Sequence, residues 1–176
     1  MAEDRKTVIV LGAYGEFIGK HLARNCASRS NLITKILVRE DAMKVESKKA
    51  IVDELVGLGC VIAYGDASTA EALVPAFEGC DYVISALGGW GNVGLFHENV
   101  YAACKIVGNI KRIVPAQFGF DILSLPAEDM DDYMKAKRAW NLAAISSGLP
   151  YTIVSQGAFS QWMICIKVNK RTKHSP

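Results

Sequence analysis

The sequence is poor in the features that mark several classes of protein. No stretch approaches the ~20 consecutive apolar residues that a membrane-spanning helix needs. The first ten residues, MAEDRKTVIV, hold no apolar h-region and no small-residue cleavage pattern, so they do not read as a secretory leader. Net charge is only +2, too small an excess to argue for a nucleic acid partner. The five cysteines, Cys26, Cys60, Cys80, Cys104 and Cys165, form no C-x-x-C pair, and several stand beside apolar residues. They are expected to be buried, reduced thiols rather than a disulfide framework. His21, His97 and His174 lie far apart and show no ligand spacing, so no metal is expected. These absences lead to a soluble, cytoplasmic protein with no membrane partner. No internal repeat or low-complexity linker divides the chain, and 176 residues suit one domain with one sizeable core.

What the sequence does contain is a repeating alternation. Short apolar runs rich in Val and Ile recur at 7–11, 35–38, 60–64, 81–87, 112–115 and 151–155. Continuous runs of this length suit parallel strands buried on both faces. Helical patterns lie between them, at 16–28, 46–58, 69–77, 95–107 and 131–147. In 46–58, Ile51, Leu55 and Leu58 share one face, and DAST with Glu71 is a capping signal at the start of 69–77. Six strands alternating with helices predict an α/β fold built on a doubly wound parallel sheet, in the order 3-2-1-4-5-6. The last stretch, IKVNKRTKHSP, loses the apolar period and gathers Lys167, Lys170, Arg171 and Lys173. It is expected to be a solvated tail over 164–176, following a domain at 1–163.

The first strand leads into LGAYGEFIGK, with glycines at 12, 15 and 19. After a first strand, one glycine permits a tight turn, a second lets backbone approach a pyrophosphate, and a third lets the helix pack close to the sheet. Helix N-terminal N–H groups then face the phosphates. The spacing is one residue longer than G-x-x-G-x-x-G, and Glu16 puts a carboxylate in the turn. The second strand ends at Arg39, where a dinucleotide fold often carries an acid for the ribose 2′-hydroxyl. An arginine there fits a 2′-phosphate, hence NADP rather than NAD. Later strand ends run into small or polar segments at Gly65-Asp66, Gly88-Gly89 and Ala116-Gln117-Phe118-Gly119. Ligands of open α/β sheets bind at such ends.

Tyr133 and Lys137 stand one helical turn apart in DDYMKAKRAW. On a helix they share a face, and an ammonium beside a phenol favours phenolate. The pair is a candidate acid or base, and the lysine a candidate holder of the nicotinamide ribose. An incidental Tyr and Lys on an exposed helix is the alternative.

The stretches VIAYGDASTAEALVPAFEGCDYVISALGG, GNIKRIVPAQFGFD and KRAWNLAAISSGLPYTIVSQGAFSQWM together resemble the NmrA-like and isoflavone-reductase-like proteins, atypical relatives of the short-chain dehydrogenase/reductases. The resemblance runs from about Thr7 to Met163. It implies a Rossmann fold, an NADPH cofactor, and one of two functions. One is an NADP-dependent reductase of a small carbonyl or conjugated substrate. The other is a non-catalytic redox-sensing regulator with a protein partner or a homodimeric state. By motif, the loop residues Gly12, Tyr14, Gly15, Phe17 and Ile18 and the strand-end Arg39 would contact the cofactor. Asp66 would lie near the adenine, Ala86, Leu87 and Gly88 along the cofactor, and Phe118 near the nicotinamide. Lys137 matches the family's proton-transfer or ribose-holding lysine. The usual Ser and Glu of P-S-E-F-G are Ala116 and Gln117, and the usual Thr after G-A is Tyr14. The family runs to roughly 300 residues, so its substrate-covering C-terminal part is expected to be absent from this chain.

Overall fold

The computed structural model describes residues 5–15, 17–88 and 93–159. Glu16, Gly89, Cys165, His174, the boundary at Met163 and the tail expected over 164–176 lie outside them. Five parallel strands form one sheet: β1 (Lys6–Leu11), β2 (Leu32–Val38), β3 (Val61–Tyr64), β4 (Tyr82–Ser85) and β5 (Arg112–Val114). Their order is β3-β2-β1-β4-β5. Among the described residues, five α-helices connect and flank them: α1 (Gly19–Ala27), α2 (Glu46–Gly57), α3 (Val74–Phe77), α4 (Val93–Val107) and α5 (Asp132–Ser146). This is the expected doubly wound α/β architecture, with the chain reversing direction across the sheet between β1 and β4.

The continuous apolar runs are explained by burial on both faces. Successive residues of a strand point to opposite sides, so Ile9 and Leu11 join one core while Val10 joins the other. The larger core gathers Phe77, Val83, Tyr101, Cys104, Ile113 and Ala144 beneath α3, α4 and α5. The smaller one holds Ala23, Ile36, Val38, Val52 and Leu55 beneath α1 and α2. Cys60, Cys80 and Cys104 are buried free thiols, and burial raises the pKa of each. At the amino end of the sheet, Asp81 ties three strands together. Its carboxylate accepts from the Thr7 N–H at 2.8 Å and meets the Lys111 ammonium at 2.7 Å.

Element ends differ from expectation for identifiable reasons. The third helix begins at Val74 rather than 69. Thr69 accepts from the Ala72 N–H at 3.2 Å, but only as a turn, and Pro75 is tolerated only in a first helical turn. Strand β4 stops at Ser85 because its neighbour β1 turns away at Gly12, whose φ is +74°. The sixth strand lies at its expected place beside β5 but is reduced to one parallel bridge, Ile113 to Tyr151. Ile113 donates to the Pro150 carbonyl and accepts from Thr152, both at 2.9 Å. The next ladder bond would need an N–H at residue 115, which is proline, and the Pro115 carbonyl already accepts from the Gln117 N–H at 2.7 Å.

Two outcomes test this packing. Phe77→Ala, at a fully buried position, should destabilise the protein by about 3–5 kcal/mol in a denaturant titration. Asp81→Asn should cost stability at neutral pH. Both partners of Asp81 hold its folded pKa below the ordinary value, so the native advantage over the variant is present above about pH 4. It should fade as pH falls further, through the lower folded pKa.

Candidate functional site: the carboxyl edge of the sheet

The glycine loop solves its extra residue by backbone contact. The Gly15 N–H donates to the Gly12 carbonyl at 2.9 Å, closing a tight turn. The chain then runs through Phe17 and Ile18 before α1 starts at Gly19, later than the predicted residue 16. A Cβ on Gly19 would lie 1.9 Å from the Gly12 carbonyl oxygen, and one on Gly12 would lie 2.7 Å from the Ala86 carbonyl oxygen. The third glycine therefore keeps its close-packing duty despite its displaced position. The longer loop is absorbed between Gly15 and Gly19.

This geometry suits an anionic group. The first turn of α1 contains no acid, and no side chain caps its N-terminus at Ile18. Its leading N–H groups and dipole are therefore not compensated by a cap within the helix. Gly15 is exposed in the loop, and a Cβ on Gly88 would meet open space. These are the properties of a backbone cradle for a pyrophosphate.

The other expected cofactor contacts distribute along the same edge. Arg39 is half-buried just past the end of β2 and pairs with Asp41 at 3.3 Å, through a short 3-10 turn over Glu40–Lys44. Asp66 follows β3 and accepts from the Ser68 N–H at 2.7 Å. Ala86 donates to the Leu11 carbonyl at 2.9 Å, so the segment through Leu87 and Gly88 leaves the sheet beside the glycine turn. One cation went unmarked in the sequence: Lys48, on α2, stands 6.0 Å from the centre of the Tyr14 ring. It sits in a Lys-Lys pair on a helix whose register against the loop is a tertiary fact. Near the carboxyl end of β5, Phe118 is buried with φ +41°, a left-handed conformation that only a firmly held turn sustains in a non-glycine residue. Phe17, Ile18 and Phe118 line one apolar cleft of about 530 Å³ with Leu22, Ile84 and Val114.

Tyr133 and Lys137 share a face of α5. The Lys137 ammonium lies 5.7 Å from the centre of the Tyr133 ring and donates to the Gln117 carbonyl at 2.8 Å. The expected lowering of the phenol pKa is not found. Burial, followed by the Asp131 charge, raises it. Burial lowers the Lys137 pKa, so its ammonium is a readier proton donor than an exposed lysine. Asp131 caps α5 by accepting from the Met134 N–H at 2.7 Å. His97 is fully buried, stacked on Trp140 with ring centres 4.5 Å apart and 3.5 Å from the Ser85 hydroxyl. No cluster of three metal-ligating side chains occurs among the described residues, and no described helix is long and apolar enough to cross a membrane.

Comparison with known proteins gives consistent neighbours. A family model described as NAD(P)H-binding matches residues 12–173. The chain is 31% identical over 165 residues to isoflavone reductase homolog A622 of Nicotiana glauca, covering 93% of this chain and 52% of that protein. It is 32% identical over 166 residues to phenylcoumaran benzylic ether reductase Betv6 of Betula pendula, with the same coverage. The leucoanthocyanidin reductase–NADPH complex from Vitis vinifera superposes with a TM-score of 0.76 at 30% identity, over 86% of this chain and 50% of that one. The chain thus spans about half the length of the relatives it matches.

Gly19→Ala tests the loop. Its methyl group would be forced onto backbone rather than onto a movable side chain, so the variant should lose about 1–3 kcal/mol of stability in thermal melts.

Proposed function

Because this chain belongs to the NAD(P)H-binding family, we propose that it is an NADP-dependent reductase of the isoflavone-reductase-like group, acting on a small carbonyl or conjugated acceptor. The observation that carries the reading is Lys137. It is half-buried near the carboxyl end of β5, held by the Gln117 carbonyl beside Phe118, with its pKa lowered by burial. The likeness to a reductase in complex with NADPH supports the cofactor. The relatives covered only in half are reductases by name, and they support the reaction class.

In this reading Gly12, Gly15 and the N-terminus of α1 hold the pyrophosphate, with Tyr14, Phe17 and Ile18 flanking it. Arg39 turns from Asp41 to the 2′-phosphate, and Lys48 adds a second cation near Tyr14. Asp66 lies toward the adenine, Ala86, Leu87 and Gly88 follow the dinucleotide, and Phe118 bounds the nicotinamide. When bound, the nicotinamide supplies the hydride. The Lys137 ammonium gives its proton to the acceptor atom that becomes negative, and the lowered pKa eases that transfer. Tyr133 packs against the lysine with its ring face and shapes the site rather than serving as the acid. The protein is read as cytoplasmic, since Cys60, Cys80 and Cys104 are free thiols. It takes a small-molecule substrate and no nucleic acid, and 1–163 forms its dinucleotide domain.

The second reading, a dinucleotide-binding regulator without turnover, is favoured by one observation. The Lys137 ammonium already has a backbone acceptor, and burial raises the pKa of the neighbouring Tyr133 phenol. The discriminating measurement is NADPH oxidation with a panel of ketones and enones. Turnover above background, lost in Lys137→Ala with NADPH binding retained, supports the reductase; turnover unchanged in that variant refutes the role given to Lys137. In calorimetric titration, Arg39→Ala should weaken NADPH roughly tenfold or more and leave NADH little changed, because a charged hydrogen bond is worth about 1.5–3 kcal/mol. Equal weakening of both cofactors would place Arg39 outside the 2′-phosphate site.

A further inference from the structure

The place of the Lys137 ammonium depends on one peptide unit, the carbonyl of Gln117. That peptide lies in a turn with no regular ladder to hold it. The Gln117 N–H reaches back two residues to Pro115, and Phe118 follows in a left-handed conformation. Such a backbone is strained in a non-glycine residue and persists only when its surroundings over-determine it.

The restraint comes from two buried carboxamides. Gln117 is 2% exposed and Asn141 is 1% exposed. The Gln117 Nε2 donates to the Phe120 carbonyl, bridging the turn from inside. Its Oε1 accepts from the Asn141 Nδ2 at 3.1 Å. The same Nδ2 donates to the Lys137 carbonyl at 2.8 Å, one turn back along α5. A closed circuit results: the lysine ammonium binds the Gln117 main chain, the Gln117 side chain binds Asn141, and Asn141 binds the lysine main chain. The amide orientation of Asn141 is dictated by its two acceptors. Flipping it would turn an oxygen toward both, so its Oδ1 is left without a partner among the described residues. A group that accepts an unpaired buried oxygen in order to keep both donations is present for its donors.

We infer that Gln117 and Asn141 are positioning residues for Lys137, a carboxamide clamp that sets where the ammonium stands by fixing the turn that receives it. Asn141 reaches the lysine only through Gln117 and the helix backbone. The inference rests on the reductase reading for the purpose Lys137 serves, whereas the placement itself can be measured without turnover. Tyr133 presents its ring to the ammonium, and the Asp131 carboxylate is engaged at the start of the helix.

The test is carried out on the full chain after reductive methylation with 13C-formaldehyde, following each dimethyl-lysine signal by NMR against pH. Lys137→Arg identifies the Lys137 signal by its disappearance. In the native protein Lys137 should titrate below the exposed lysines. Gln117→Met and Asn141→Leu preserve volume and remove the amide contacts. Each should shift the Lys137 midpoint away from its native value, because the turn that receives the ammonium is no longer held, and the double variant should shift it no further than the larger single, since the two act as one unit. Midpoints unchanged in both single variants, with only a lower melting temperature, would overturn the inference and leave the pair as packing. If Gln117→Met does not fold, the Asn141→Leu midpoint decides by the same criterion. In turnover assays the clamp predicts kcat falling about tenfold with KM for NADPH within about twofold. An absence of NADPH oxidation in the native protein would defeat the reductase reading and leave the titration result standing.

Discussion

The contact on which the carboxyl edge depends is made of backbone alone. Gly12 turns β1 away from the sheet against the carbonyl of Ala86, and Gly19 brings the start of α1 onto the carbonyl of Gly12. Both approaches are closer than any Cβ permits. They bring the exit of β1, the exit of β4 and the N-terminus of α1 together at the one place in the sheet where the strand order reverses. A doubly wound sheet opens a crevice at that place, and an uncapped helix gives it a favourable potential for anions. The extra residue in the loop alters neither contact, because the insertion falls between two glycines whose neighbours are fixed by the sheet.

A second consequence follows from proline. Pro115 ends β5 after three residues and denies the Thr152 carbonyl an N–H donor, so the ladder goes no further than the Thr152 N–H, which donates to Ile113. The same proline carbonyl starts the turn that carries Gln117, Phe118 and Gly119. Chain released from the sheet is thereby folded into a receptor for the lysine on α5, and the Gly157 N–H joins it by donating to the Gly119 carbonyl at 3.0 Å. A short edge strand and a lysine site are two results of one missing N–H.

How much of this could be read beforehand varied with the range of the interaction. Ile9, Val10 and Leu11 announced a strand buried on both faces because strand side chains alternate and all three are apolar. The third helix is shorter than its capping signal implies because Thr69 makes the hydrogen bond of a turn, and that signal is the same whether or not a helix follows. Tyr133 and Lys137 were correctly set on one helical face, yet a four-residue spacing says nothing of which atoms meet. The ammonium found the ring face and a carbonyl, and the phenol pKa moved upward rather than down. Lys48 and Asn141 carried no mark in the sequence. Each acts through a partner more than twenty residues away.

The sequence by itself determined the parallel α/β architecture, the strand order through β5, and the edge of the sheet where a dinucleotide belongs. These rest on local periodicity, on glycine spacing and on the handedness of crossovers, which every chain obeys. Only the tertiary structure decided that Gly19 remains in contact with Gly12, that the sixth strand shrinks to one bridge, and that Lys137 is aimed by Gln117 and Asn141. Those depend on distances set to within a fraction of an ångström between segments that local periodicity does not connect, and on the hydrogen bonds that each buried polar group must find there.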